Sequence, residues 1–351
     1  MNVQQSIPPL PVIAVVGATG AVGIEIINCL ENRDVPVGEL RLLASARSAG
    51  QRLPFRGSEV VVQELTERSF DGCNIVFFSA GATVSRKYAP LAVASGAVVV
   101  DNSSAFRMDP NVPLIVPEAN GGTIAPHAGI IANPNCVAAI ATTALAPLLR
   151  CWAITRLNMV TYQSASGAGA AAMDELRQAT AAAVNDEPFK QQIMPHPMAF
   201  NLFSHNADID PETGYNGEET KVIAETRRIL DLPRLPVGIT CVRVPVLRAH
   251  SIALSVRFDG FVSPESVRDK LSNAPGVRVV DDIENNHFPM PCEASGIEDV
   301  LVGRIRTDLI DPTGQTIAMF ISGDQLLKGA ALNAVQIAEN LLARQVTSQA
   351  A

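Results

Sequence analysis

Asn133-Pro134-Asn135-Cys136 holds the residue types that point most directly to chemistry. It follows the apolar run Gly129 to Ile131 and opens the Ala/Leu-rich stretch Val137 to Leu149. The pattern predicts a strand, a turn and then a helix, with Asn135 as a fitting N-cap. A cysteine in the first helical turn sits where the helix dipole favours a thiolate and lowers the thiol pKa. Most cysteines are inert core residues, and those at 29, 73, 151, 241 and 292 lack any comparable setting. Cys136 instead falls at the carboxyl end of a predicted strand, where open α/β sheets bind ligands. A thiolate nucleophile needs a group to manage protons. His250 is the candidate, because it heads an alternating strand pattern rather than lying in a loop. Spacing alone fits a satisfied core histidine, on the face of Ile252 and Leu254, equally well.

A second motif, Gly17-Ala18-Thr19-Gly20-Ala21-Val22-Gly23, directly follows the β-branched run Val12 to Val16 and opens a helical pattern, Val22 to Leu30. Glycines there allow a tight turn and close backbone approach, and the helix N-terminus offers N–H groups to a pyrophosphate. A plain glycine-rich turn is the bland alternative. After the next predicted strand, Leu40 to Ala44, stands Ser45-Ala46-Arg47-Ser48. An NAD site normally has a carboxylate there for the ribose hydroxyls. A guanidinium and two hydroxyls suit a 2′-phosphate, so the expected cofactor is NADP; a solvated loop arginine is the bland alternative. Ser79-Ala80-Gly81, after the run Ile75 to Phe78, is a further place for backbone to approach it. A thiolate beside a nicotinamide suggests one chemistry: addition to an aldehyde, departure of a hydride, and a thioester left behind.

These groups need a scaffold. Further strands are expected at Val98 to Val100, Leu114 to Val116 and Gly129 to Ile131, with a helix from Val84 to Ser95 that Pro90 should kink or shorten. Strand and helix in repetition predict a parallel doubly wound sheet. Beyond Asn135 come a strand at Thr155 to Tyr162, the small-residue stretch Ser164 to Ala172, and a loop-dominated segment over 185–217. A helix at Thr220 to Leu230 and the alternating strand Ile252 to Phe258 follow. A second domain with a largely antiparallel or mixed sheet accounts for these. A last helix is expected at Leu326 to Ala343.

The 351 residues predict two domains. Hydrophobic residues at 47% and charged residues at 18% suit a packed globule. The net charge of -8 and the lack of a basic run argue against nucleic acid. No CxxC or zinc-ligand spacing occurs, so no metal is expected. No apolar run reaches the ~18 residues of a membrane span. The polar, Pro-rich N-terminus is unlike a signal peptide, so a cytoplasmic, reduced protein is expected.

Ser45-Ala-Arg-Ser-Ala-Gly50, Asp101-Asn-Ser-Ser-Ala-Phe-Arg107, Tyr162-Gln-Ser-Ala-Ser-Gly-Ala-Gly169, Arg243-Val-Pro-Val-Leu-Arg-Ala-His250 and Lys328-Gly-Ala-Ala-Leu-Asn333 complete a series with the two motifs above. In that order, over nearly the whole chain, they resemble aspartate-semialdehyde dehydrogenase of the bacterial branch. The resemblance implies a Rossmann-like NADP domain, residues 1–135 plus about 325–351. It also implies an α+β catalytic and dimerisation domain, residues 136–324, in a homodimer or a tetramer of dimers. Cys136 would be the nucleophile, Gln163 would orient substrate, and His250 would be the acid/base. Arg243 would bind the substrate carboxylate, Glu218 its amine, and Arg107 and Lys221 phosphate, with Asn135 also among the substrate- and phosphate-binding residues. Ser166, Gly167 and Gln325 would join the cofactor side, although the family often has Asn-Leu-Arg where this chain has Gln325-Leu-Leu327. Arg243 and His250 have opposite strand parity, so a shared pocket requires a break near Pro245. N-acetyl-glutamyl-phosphate reductase shares the chemistry, but its Gly-Cys-Tyr-Pro-Thr type nucleophile region does not match Asn-Pro-Asn-Cys-Val. An inactive nucleotide-binding paralogue is the other alternative, and the presence of the nucleophile argues against it.

Overall fold

The computed structural model describes residues 7–124 and 128–349. The extreme N-terminus, expected to be no signal peptide, lies outside the described residues. The chain divides into two compact units, one running to Asn135 and resuming at Ala330, the other from Cys136 to Gly329.

The first unit is built on β1 (Val12–Val16), β2 (Glu39–Ala44), β3 (Arg52–Phe55), β4 (Ser58–Glu64), β5 (Ile75–Phe78), β6 (Val98–Asp101) and β7 (Ile130–Ala132). Their order is β3-β4-β2-β1-β5-β6-β7, parallel except for the β3–β4 hairpin. Strands β5 and β6 are buried along their whole length, as their continuous apolar runs require of a parallel sheet covered on both faces. The hairpin was not anticipated; its turn uses Arg56 and Gly57, both at positive φ. Leu114 to Val116, expected as a strand, forms only an isolated bridge from Leu114 to Ala132. Proline on both sides cuts it short: Pro113 brings no N–H, and Pro117 starts a helical turn. The helix at Ala82–Ala94 runs through Pro90 without being shortened.

The second unit holds β8 (Ile154–Gln163), β9 (Phe203–Ser204), β10 (Val237–Arg243), β11 (His250–Phe258), β12 (Val277–Val279), β13 (Val300–Thr307) and β14 (Thr316–Gly323). The order β12-β13-β14-β11-β8-β10-β9 is mixed and largely antiparallel. The helix Cys136–Leu149 is buried nearly all round, and with one face of this sheet it forms the unit's core. That face takes Leu157 and Met159 from β8 and Ile252, Leu254 and Val256 from β11. The opposite face of β8 exposes Arg156, Asn158 and Tyr162.

The expected helix from Leu326 is a correction. Residues Leu327–Ala331 form a wide π-turn, and the α-helix is Leu332–Gln349. Buried Asp324 accepts from the amides of Leu326 and Leu327, and Gly329 N–H donates to the Asp324 carbonyl, five residues back. The helix then packs in the first unit, where Arg33 clasps Glu339 through two bonds of 2.8 Å.

Candidate active site

In the first unit, β1 lies between β2 and β5, and its carboxyl end leads into the glycine turn. Gly17 has φ +83°, and a side chain there would stand 2.9 Å from the Ser79 carbonyl carbon. A Cβ on Gly23 would meet the Gly17 carbonyl oxygen at 2.2 Å, so this glycine lets the helix Ala21–Asn32 sit against its own turn. Ala21, Val22 and Gly23 form the first turn of that helix, and Gly20 precedes it in extended conformation without a side-chain cap. The Ser79 hydroxyl donates to the Val16 carbonyl at 3.0 Å. Ala80 and Gly81 lead into a second helix N-terminus at Ala82, Gly81 with φ +87°. Arg47 is exposed on a short 3₁₀ turn after Ser45, and Thr19 donates to Ser48 at 3.4 Å, tying that turn to the glycine loop. Two helix N-termini and a backbone cradle fit a dinucleotide, with the Arg47 guanidinium exposed nearby.

The segment before Cys136 is held from several sides. The Asn133 side chain donates to Asn102 Oδ1 at 2.7 Å and to the Ala330 carbonyl at 3.1 Å, and it accepts from Asn333 at 2.6 Å. Arg107 is buried, with bonds of 2.9 Å and 2.8 Å to the carbonyls of Asn133 and Asn102. Two of its donors therefore brace the turn. Asn135 is buried immediately before the helix.

In the second unit, Cys136 is the first residue of its helix and is partly exposed. A Cβ on Gly329 would meet Cys136 Cβ at 2.8 Å, so the π-turn approaches Cys136 closely only because residue 329 is glycine. Strand register assembles the rest. Arg243 pairs with Gln163 on one side of β8, while Ser251 pairs with Tyr162 on the other, setting His250 one step further, level with Gln163. The parity conflict thus resolves without a bulge: Arg243 ends β10, His250 begins β11, and Pro245 lies in the loop between. Both side chains reach Gly167, where an added Cβ would stand 3.0 Å from Arg243 Nη1 and 3.2 Å from His250 Nε2. Gln163 accepts from Thr161 at 3.1 Å and donates to Glu218 at 3.2 Å, inside the capped start of the helix Gly217–Ile229. Arg243 donates to the Ser164 carbonyl at 3.1 Å and to Asn206 at 3.2 Å.

Burial pulls the Arg243 guanidinium below its usual value, while the charges of Cys136 and Glu218 push back. Burial holds His250 well below the ordinary histidine value, with Arg243 and His205 adding to the effect. His205 is brought down to about 4 by burial and the Arg243 charge. Exposed Lys221, on the Gly217–Ile229 helix, contributes in the same direction. Burial pushes the Cys241 thiol up to about 12, which makes it inert beside Cys136.

Such an arrangement can hold an anion at Arg243, present a proton donor or acceptor at His250, and offer a thiol nearby. Family models for the semialdehyde dehydrogenase NAD-binding domain and dimerisation domain match residues 12–127 and 145–328. The aspartate-semialdehyde dehydrogenase of Prochlorococcus marinus is 48% identical over 345 residues, covering 98% of this chain and all of that protein. That of Bacillus subtilis is 44% identical, covering 94% of this chain and 96% of its own. The chain belongs to the aspartate-semialdehyde dehydrogenase family. A solved aspartate semialdehyde dehydrogenase II from Vibrio cholerae, complexed with ASA, superposes with TM-score 0.91 at 40% identity, covering 96% of this chain and 99% of its own. A Candida albicans aspartate semialdehyde dehydrogenase with NADP gives TM-score 0.74 at 25% identity, covering 96% and 99%. The enzyme is therefore an oxidoreductase with a nicotinamide-nucleotide-binding domain, and the reductase alternative falls away. Among the described residues no group could hold a metal ion and no helix is long and apolar enough to cross a membrane.

Gln325, expected on the cofactor side, is buried, and its amide bonds Ser166 and Ala249 within its own unit. Ser166 is likewise buried. Sequence reasoning also missed Ser164, Asn206 and His205. Ser164 stood inside a quoted motif; nothing in the sequence pointed to the other two, which reach Arg243 through the short edge strand β9 and its loop.

Proposed function

We propose that this enzyme interconverts L-aspartate 4-semialdehyde and L-aspartyl 4-phosphate, using NADP and phosphate, through a thioester on Cys136. The observation that carries the reading is the convergence of Arg243 and His250 Nε2 at Gly167, with Gln163 and Glu218 bonded to each other alongside. Arg243 suits the substrate carboxylate because a planar guanidinium can bond both oxygens. Glu218 suits the amine, and Gln163 keeps that carboxylate in place. Cys136 sulfur attacks the aldehyde carbon while His250 takes the thiol proton, and negative charge gathers on the carbonyl oxygen. NADP, when bound, accepts the hydride. Phosphate oxygen then bonds to the acyl carbon and its proton is released to solvent, the carbon–sulfur bond breaks, and thiolate is regenerated. Arg107 and Lys221 keep their proposed phosphate roles on the strength of the family resemblance; in the structure Arg107 also braces the Asn133 turn. The glycine cradle supports nucleotide binding, and Arg47 supports NADP over NAD. Ser166 and Gly167 keep proposed roles next to the cofactor through backbone.

We also infer a homodimer working in the cytoplasm. The exposed face of β8 would otherwise leave Tyr162 half in water, and all six cysteines are free thiols, as in a reducing compartment. The test is NADPH formation by the purified enzyme with aspartate semialdehyde, phosphate and NADP, against NAD and against the acetylated glutamate analogue. Turnover only with the first set is expected. Faster turnover with the analogue, or none without it, overturns the substrate assignment. A monomeric mass by light scattering overturns the dimer.

A further inference from the structure

Asp324 brings a carboxylate into the interior of the second unit, where it is fully buried and meets four donors. Its Oδ2 accepts from Arg248 Nε at 2.6 Å and from Gly296 N–H at 2.7 Å. Its Oδ1 accepts from the N–H groups of Leu326 at 2.9 Å and Leu327 at 3.3 Å. These donors come from separate parts of the chain: Arg248 from the loop between β10 and β11, Gly296 from the loop before β13, and the two leucines from the start of the π-turn. A buried charge is tolerated at such a place because donors converge on it. The two leucine amides are of the kind a helix start leaves without partners, so the carboxylate acts as their cap. The turn they open brings Gly329 N–H to the Asp324 carbonyl at 3.1 Å. It also lays the Gly329 backbone beside Cys136: a Cβ added at 329 would stand 2.8 Å from Cys136 Cβ and 3.2 Å from its Cα. Backbone packed against Cβ narrows the staggered positions open to the sulfur.

We propose that Asp324 is a positioning residue: held on one oxygen by Arg248 and Gly296, it pins the π-turn with the other, so that the Gly329 backbone fixes where the Cys136 sulfur points. This deepens the function proposed above and rests on Cys136 as its nucleophile. A thiolate attacks a carbonyl along a narrow approach, so a sulfur spread over several rotamers spends little time on it. The position calls for a carboxylate. An amide of the same shape has one acceptor end, and whichever way it turns, its NH₂ faces two donors: Arg248 and Gly296, or the two leucines. Arg248 also brings the matching charge, from a side chain that stays 26% exposed. The Ser295 hydroxyl donates to the Arg248 carbonyl at 3.2 Å, so the two loops that hold Oδ2 are tied to each other as well.

The test sets two readouts of Cys136 against each other. Asp324→Asn should cut turnover about 10- to 100-fold, as for a reacting group slightly misplaced, while the Michaelis constants change little. Iodoacetamide needs no such alignment. It should label Cys136, located by peptide mass, about threefold or more faster than in wild type, because the turn no longer covers one side of the residue. Cys29 and Cys241 are buried elsewhere and should stay as slow as in wild type. The route through Gly329 is read from Gly329→Ala. Alone, its methyl strains against a pinned turn. With Asp324→Asn the turn can back away, so the double variant should be no slower than Asp324→Asn alone. Unchanged turnover, losses that multiply, Cys136 labelling that does not quicken, or labelling that quickens equally at all three cysteines each overturns the proposal. Should Asp324→Asn not fold, Arg248→Met removes one donor and leaves three amides on the carboxylate. Turnover should then fall about three- to tenfold, as for one hydrogen bond, with the same labelling pattern and the same outcomes deciding. If the wild-type enzyme does not turn over aspartate semialdehyde, the substrate reading fails, and the labelling rates alone judge Asp324.

Discussion

The two units build their candidate sites from different materials. The nucleotide unit works mainly with backbone: a positive-φ glycine, a glycine that admits its own helix, and two helix N-termini along one sheet edge. The catalytic unit works with side chains drawn from three neighbouring strands, a π-turn and a helix start. Backbone sites are local in sequence, so a seven-residue motif specifies almost all of one. Side-chain sites depend on register between distant segments, where a shift of one residue turns a strand's groups to the opposite face.

That contrast predicts how each half breaks. Cys136→Ser should lose activity about 10³-fold or more, since a hydroxyl is a far weaker nucleophile at neutral pH. NADP should bind as before, because the cradle lies in the other unit; a matching loss of NADP affinity would deny the division of labour. Next comes Gly329→Ala. Its methyl would press on Cys136 Cβ at 2.8 Å, and overpacking of this kind costs about 1–3 kcal/mol. Turnover should fall about tenfold or more; full activity would mean the π-turn yields freely. Arg47→Ala should raise the Michaelis constant for NADP by about 10- to 150-fold, the equivalent of ~1.5–3 kcal/mol for a charge-assisted bond. NAD use should hardly change, and equal losses with both would sink the 2′-phosphate role.

The smallest effect concerns pH. His205 titrates near 4 in the fold against an ordinary 6.5, so between those values the unfolded chain binds more protons. Its contribution is complete above about pH 6.5 and is lost as pH falls toward 4. His250, shifted the same way, adds to the loss. Melting temperature should drop by a few degrees, on the order of 1 kcal/mol, between pH 7 and 5. His205→Asn should flatten the slope, and an unchanged slope would assign it to other groups.

The same contrast explains what the sequence revealed. The parallel sheet was legible because buried strands read as continuous apolar runs, and Cys136 because strand, turn and helix are contiguous. The second sheet was only half legible: β13 and β14 were not anticipated, though their faces complete the core. Arg243 and His250 looked incompatible while treated as one strand; two strands flanking β8 make them neighbours. The orientation of the Gln325 amide was not legible, because it depends on a bond from Ala249 N–H, a residue at φ +70° far away in sequence. Leu326 onward has helical periodicity, but Asp324 captures the first amides and widens the turn.

The close approach of Gly329 to Cys136 also has a consequence for the chain as it is made. The nucleophile emerges from the ribosome early, and the glycine that closes on it follows roughly ten seconds or more later at ordinary synthesis rates. Every strand that supports the Cys136 helix is also translated after it. During that interval Cys136 has neither its packing nor its partners, so oxidants and alkylating agents should strike it more readily in nascent chains than in finished enzyme.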